Sequence, residues 1–214
     1  MTSPRRWPVI ALAVIGVAAL AFAIGRFSTF AATAPGPNQA DAGFARDMQI
    51  HHTQAVEMAM ELYRKTDDAE LRILSYDIAT TQSAQRGEMY DWLVQWGLPQ
   101  GSAAPLMQWM ADADGSHAGH DVSPGASDAE LRAAMGMATD AELGALAKAE
   151  GTAADCLFLE LMIRHHEGAI PMAEAVVDRG SVPRVTAVAE SMIAGQSAEI
   201  DAMQSAEARL ACTG

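Results

Sequence analysis

Only two of the 214 residues are cysteine, aromatics make up 6% of the chain and charged residues 19%. Two thiols are too few for a disulfide scaffold. Glycine (17) and proline (9) follow no collagen period and form no low-complexity tract. Basic residues are scarce: 14 Lys and Arg stand against 27 Asp and Glu, a net charge of −13. Arg5, Arg6 and Arg26 all precede the first acid, Asp41, so the rest of the chain is more acidic still. Such a surface repels phosphate backbones, which argues against a nucleic-acid partner, and it tolerates cations. Sustained strand alternation and hairpin turn chemistry are missing as well. What the chain has in excess is methionine, 13 residues, and six histidines set as two adjacent pairs and one loop couple.

Pro8 to Gly25 is an unbroken run of uncharged, mostly aliphatic residues, with Arg5 and Arg6 before it and Arg26 after it. At about 1.5 Å per residue it comes close to the ~30 Å hydrocarbon thickness of a bilayer. A removable signal has a shorter apolar stretch, and the best small-residue cleavage site, Ala32-Thr33-Ala34, is followed by an unfavourable Pro35. Residues 1–27 therefore read as a membrane anchor in preference to a cleaved signal, and 28–37 as a linker. The basic flank favours a cytoplasmic amino terminus and places everything after it outside the cytoplasm.

The remainder is duplicated. At an offset of 114, Asp41, Phe44, Met48, His51, His52, Ala55, Met58 and Ala59 recur as Asp155, Phe158, Met162, His165, His166, Ala169, Met172 and Ala173. Gln82, Ser83, Ala84 and Met89 recur as Gln196, Ser197, Ala198 and Met203. The repeated unit reads as a helical hairpin. Asn38 can cap a first helix running to Lys65, Asp67 and Glu70 form a capping-box pattern for a second, and Gly97 and Pro99 end it. In the second copy Thr152 and Asp155 begin a helix that stops at Gly180, and Ser181 and Pro183 start the last one. Ser127–Glu130 and Thr139–Glu142 are further capping boxes, so short helices are expected between the copies. The fold class is all-α: a four-helix bundle over 38–212, with hairpins at 38–97 and 152–212 and a connecting region at 98–151.

On the first helix of each copy, Phe, Met and Ala form one apolar stripe, and the two imidazoles sit on its shoulders. Folding the hairpins together would bring four imidazoles, several thioethers and the amides of Gln82 and Gln196 toward one interior. Met60 and Met192 read as core filler. His51, His52, His165 and His166 read as ligands in preference to core residues, and Met48, Met58, Met162 and Met172 as ligands or filler alike.

The residues three before these histidines are Met48, Gln49, Met162 and Ile163, so the Glu-x-x-His of di-iron carboxylate bundles is missing. His-Glu-x-x-His is missing too, because Gly168, Ala169 and Ile170 follow His166-Glu167. Imidazole with thioether points to copper, especially Cu(I). No organic cofactor is indicated. Between the copies, Met107, Met110, His117 and His120 lie in a Gly/Ala/Ser/Asp-rich stretch, 101–125, that reads either as an auxiliary metal-capturing loop or as a solvated one. Met135 and Met137 follow it. Cys156 and Cys212 fall near facing ends of two antiparallel helices, which favours a structural disulfide over thiolate ligands.

The segment Met135 to Ala175, and Asp41 to Ala59 before it, resemble the domain of unknown function 305 family through their paired His-His motifs. The resemblance covers about residues 40–210. It implies a ferritin-like four-helix bundle, exported or membrane-anchored, with copper-associated members, and it carries over Met48, His51, His52, Met58, Met162, His165, His166 and Met172. Three functions compete. An extracytoplasmic protein that binds, sequesters or delivers copper comes first. A structural subunit of a membrane complex, with histidines as hydrogen-bonded core residues, is the alternative. A metal-centred oxidoreductase ranks below both, for want of a carboxylate ligand set. The expected partners are a metal ion and, through the first helix, a membrane; the sequence names no protein partner.

Overall fold

The computed structural model describes residues 7–29, 36–111 and 125–212, which fall into two units, 1–35 and 36–214. The cleavage-site candidate Ala32–Ala34, Arg5, Arg6, His117 and His120 lie outside the described residues. In the first unit, α1 spans Trp7–Thr29, and its Trp7–Gly25 stretch is long and apolar enough to cross a membrane.

The second unit is helical throughout, with no strand among its described residues. Its long helices are α2 (Gln39–Lys65), α3 (Ala69–Gln95), α6 (Gly151–Arg179) and α7 (Pro183–Leu210), joined midway by the short α4 (Asp128–Ala134) and α5 (Asp140–Lys148). Local chemistry sets most of the boundaries. Asn38 caps α2 by accepting from the Ala40 and Asp41 backbone N–H groups, while Asp41 accepts from the Asn38 N–H. Both connecting helices begin with the capping boxes Ser127–Glu130 and Thr139–Glu142.

Two starts differ from the sequence expectation. Asp68, not Asp67, caps α3, because Thr66 closes α2 and its hydroxyl accepts the Asp68 N–H, so the turn is one residue longer than expected. Further along, α6 begins at Gly151 with no side-chain cap, so neither Thr152 nor Asp155 serves there.

α2 pairs with α3 and α6 with α7, and the hairpins meet along α2 and α6. These two helices run antiparallel: Asn38 at the start of α2 bonds the Arg179 carbonyl at the end of α6, 2.7 Å away. Asp41 adds a cap in trans, accepting from the Ser181 hydroxyl (2.7 Å) and backbone N–H groups at the α6–α7 turn. At the opposite end, Cys156 and Cys212 form a disulfide with 5.5 Å between Cα atoms.

The core has two apolar clusters. One holds eight buried methionines, Met48, Met89, Met107, Met110, Met135, Met137, Met172 and Met192, with Phe44 and Trp92. The other holds Met58, Met162 and Met203 with Phe158 and several leucines. Along both α2 and α6 the histidine pair sits between the methionine of one cluster and that of the other. Met107 and Met110, expected in a polar loop, are instead fully buried. Asp47 draws them in, accepting the Met107 N–H at 2.7 Å and the Trp109 indole N–H at 2.9 Å.

Candidate metal centre

All four paired histidines are wholly buried. They form a row across the α2–α6 interface in the order His52, His51, His165, His166, with successive ring centroids 6.3, 3.6 and 6.2 Å apart. The central rings, one from each hairpin, lie in van der Waals contact at an interplanar angle of 33°.

Each Nε2 has a partner inside the protein. His51 donates to the Met135 carbonyl (2.9 Å) and His165 to the His51 carbonyl (3.1 Å). His52 meets Gln85 Oε1 at 2.8 Å, and His166 meets Glu199 Oε2 at 2.7 Å. A carbonyl or carboxylate oxygen accepts, so each ring presents an N–H at Nε2, and in a neutral ring this leaves the lone pair on Nδ1. All four Nδ1 atoms are buried with no hydrogen-bond partner, as are both amide atoms of Gln82 and Gln196 Oε1. Buried polar atoms are almost always satisfied, so these seven unpaired atoms are a feature to be accounted for.

Burial keeps three of the rings, His51, His52 and His165, neutral. Burial pushes His51 down to about 3; burial, followed by the charge His51 would carry, pushes His52 to about 3; burial also holds His165 well below the ordinary imidazole range. Neutral imidazole is the form that binds metal.

A strap from the connecting region holds the site. Gln54 clips Ala138 through both amide atoms, at 2.7 and 2.8 Å, and Met135 gives its carbonyl to His51. The strap crosses α6 at Gly168, where a Cβ would lie 2.0 Å from the Met135 oxygen. Gly136, at φ +72°, allows no more room: a Cβ there would lie 2.1 Å from the Arg164 carbonyl oxygen. Arg164 then grips Glu142 at the start of α5 with two bonds of 2.8 and 2.9 Å, and this ion pair holds the Glu142 carboxyl down at about 2.

Met48, Met58, Met162 and Met172 are fully buried, one from each hairpin in each apolar cluster. Among the described residues no group of three or more His, Cys, Asp or Glu side chains is arranged to hold a metal ion, so thioethers would have to complete any site. A cleft of about 980 Å³, lined by Arg46, Asp47 and Trp109 among others, borders none of the paired histidines.

Identity matching alone does not reveal Gln85, Glu199, Gln54 or Gly168. The first two do stand at the same offset of 114 as the histidines they bond, as Gln against Glu, so a scan for related side chains would have found them.

The comparisons agree with this architecture. A DUF305 protein of Streptomyces coelicolor is 39% identical, with 81% of this chain and 95% of that one covered, at a TM-score of 0.68. A DUF305 fragment from Deinococcus radiodurans is 29% identical, covering 82% and 99%, at 0.65. CopM in its Cu(II)-bound form is 30% identical over 77% of this chain and 93% of its own, at 0.58, and its Cu(I)-bound form 26% identical over 79% and 96%, at 0.56. No curated protein sequence matches the chain. The profile of the domain of unknown function DUF305 matches residues 41–207, and the chain belongs to that family.

Proposed function

We propose that this protein binds copper in the interior of its bundle, outside the cytoplasm, and sequesters or hands over the ion without transforming a substrate. The observation that carries the reading is the row of four buried imidazoles whose Nδ1 atoms have no partner in the protein, three of them, His51, His52 and His165, held neutral by burial. Apolar cores do not leave such donors idle without cost. Donors of this kind beside buried thioethers suit a soft monovalent cation better than calcium or magnesium, which take oxygen ligands. His51, His52, His165 and His166 would supply nitrogen, and Met48, Met58, Met162 and Met172 sulfur. CopM, solved with Cu(I), Cu(II) and silver, supports a metal of this type. The apolar α1 would tether the bundle to a membrane, its acidic surface facing the compartment that supplies the ion.

The test is a Cu(I) competition titration on the full chain in detergent, with bound metal measured by elemental analysis. Substituting Met48 and Met172 by Leu conserves volume and leaves the fold nearly unperturbed. Together with His51→Ala/His165→Ala, it should remove stoichiometric copper while helicity persists. The second reading rests on the Nε2 hydrogen bonds: histidines anchored at every ring are also what a purely structural core would show. Wild type that takes up no copper, with the histidine variants merely less stable, would establish that reading instead.

A further inference from the structure

The outward face of α3 carries large side chains that a solitary bundle leaves more than half exposed, although Tyr76 also meets Tyr63 of α2 at 5.7 Å between ring centroids. Ile73, Tyr76, Tyr90 and Val94 are 64%, 52%, 54% and 53% exposed. Between them on the same face lie Thr80 and Gly87, also exposed, and the half-buried Ser83. These seven positions, 73, 76, 80, 83, 87, 90 and 94, alternate in steps of three and four, the a/d spacing of a coiled-coil seam. The stripe runs about 32 Å at 1.5 Å per residue and contains no charge. Its centre is small and its ends are large. Two such helices can therefore approach closely at Ser83 and Gly87, while Ile, Tyr and Val fill the widening gap where they diverge at about 20°. At Gly87 an added Cβ would meet nothing within 4 Å inside the chain, so the bundle's own packing does not require a glycine there.

The charges beside the stripe say what the occupant is. Arg72 and Arg86 stand at the position just before a, and Asp77 and Asp91 at the position just after d. None of the four forms an ion pair within the chain among the described residues, although Arg72 donates to the Thr66 carbonyl (2.8 Å) and Arg86 to the Thr53 hydroxyl (3.4 Å). In a parallel pair of identical helices, a residue before a faces the residue five further along on its partner. Arg72 then faces Asp77 of the other copy, and Arg86 faces Asp91, on both sides of the seam. The antiparallel pair fits the shapes as well, but it sets Asp77 beside Asp91 twice, like against like.

We infer that α3 is a dimerisation helix: the occupant of this stripe is the same stripe of a second copy, parallel and in register. The proposal is independent of copper binding.

Single cysteines read it directly, since the chain's own two are joined in a disulfide. In the full chain in detergent, Ile73→Cys or Tyr76→Cys should cross-link to itself with a short bis-maleimide, whereas Thr81→Cys, on the same helix but off the stripe, should not. Sedimentation should show a dimer at about 100 μM that Tyr90→Lys dissociates. Arg86→Glu or Asp91→Arg alone should weaken the dimer roughly tenfold, and the two together restore it. Arg86 is half-buried and the other substituted positions are exposed, so these variants should leave helicity unchanged. A monomer at that concentration, or a dimer indifferent to every stripe and charge variant, overturns the proposal. Cross-linking of Ile73→Cys only with Val94→Cys overturns the parallel register, and a stripe that binds a different protein instead of itself would appear as the monomer.

Discussion

The two hairpins began as one unit, and they differ where the site is held. Both supply a stacked inner histidine, an outer histidine, one methionine of the repeated set to each apolar cluster and a buried glutamine with an unpaired amide oxygen. Outside this repeated set they diverge. Where α2 has Gln54, reaching out to clip the strap at Ala138, α6 has Gly168, shaved flat so that the strap can cross. Where α2 has Asp47, holding the Trp109 turn, α6 has Leu161 in the core. The outer histidine leans on a carboxamide in one hairpin and a carboxylate in the other. Duplication kept the residues that meet across the pseudo-symmetry axis and released those facing the single strap, which has no second copy to match.

Acid should disturb the shared part most. His51, His52 and His165 have folded-state pKa values far below 6.5, so between that pH and about 3 the unfolded chain binds protons that the folded one refuses. Stability is therefore complete above pH 6.5 and lost as pH falls, at roughly 1.4 kcal/mol per pH unit for each ring. Asp47 opposes this: burial raises it from 3.8 to about 6, so it stabilises the fold at low pH, and that contribution fades as pH rises through 6. With three rings against one carboxyl, urea midpoints should drop steeply between pH 6.5 and 4. His52→Gln should flatten the slope by about one proton; an unchanged slope would mean that the ring is solvated.

The strap separates the hairpins next. Gly168→Ala drives a methyl group into backbone, 2.0 Å from the Met135 oxygen and 2.2 Å from its carbon, and so displaces the acceptor of the His51 bond. A cost of about 3 kcal/mol or more is expected. Gln54→Ala, at the equivalent position of α2, leaves the Ala138 N–H and carbonyl unpaired at about 2 kcal/mol. Equal and small losses in denaturant midpoint would show that the strap is not held as described.

The hairpins, the Asn38 cap, the two connecting-helix capping boxes and the pairing of the four histidines were legible because duplication and capping are written in neighbouring or equally offset residues. The interior was less so. Met107 and Met110 stand in Gly- and Ala-rich sequence that reads as a polar loop, and the carboxylate of Asp47, sixty residues away from Met107, draws them inside. Gly136 and Gly168 look like ordinary small residues until the crossing chain is in place. Asp41 recurs as Asp155, yet nothing in the sequence says that it caps the α6–α7 turn in trans. Contacts between distant segments leave no periodic trace.

The smallest expected difference lies in the outer histidines. Glu199 is 2.7 Å from His166 Nε2, and a carboxylate in that position fixes the ring and makes its free Nδ1 a stronger donor than a carboxamide does. Gln85 gives His52 the same orientation without the charge. If copper is taken up through Nδ1, Glu199→Gln should make the hairpins alike and weaken Cu(I) binding by about tenfold, and Gln85→Glu should strengthen it by a similar factor. Both substitutions are nearly isosteric at half-buried positions, so thermal midpoints should barely move. Imidazole nitrogen NMR shifts supply the control: the metal-free variants should keep the proton on Nε2, and copper should shift Nδ1. A copper-induced shift at Nε2 would place the metal on the wrong side of the ring. Affinities indifferent to both exchanges would reduce Glu199 to packing and leave the two hairpins equivalent in chemistry as well as in descent.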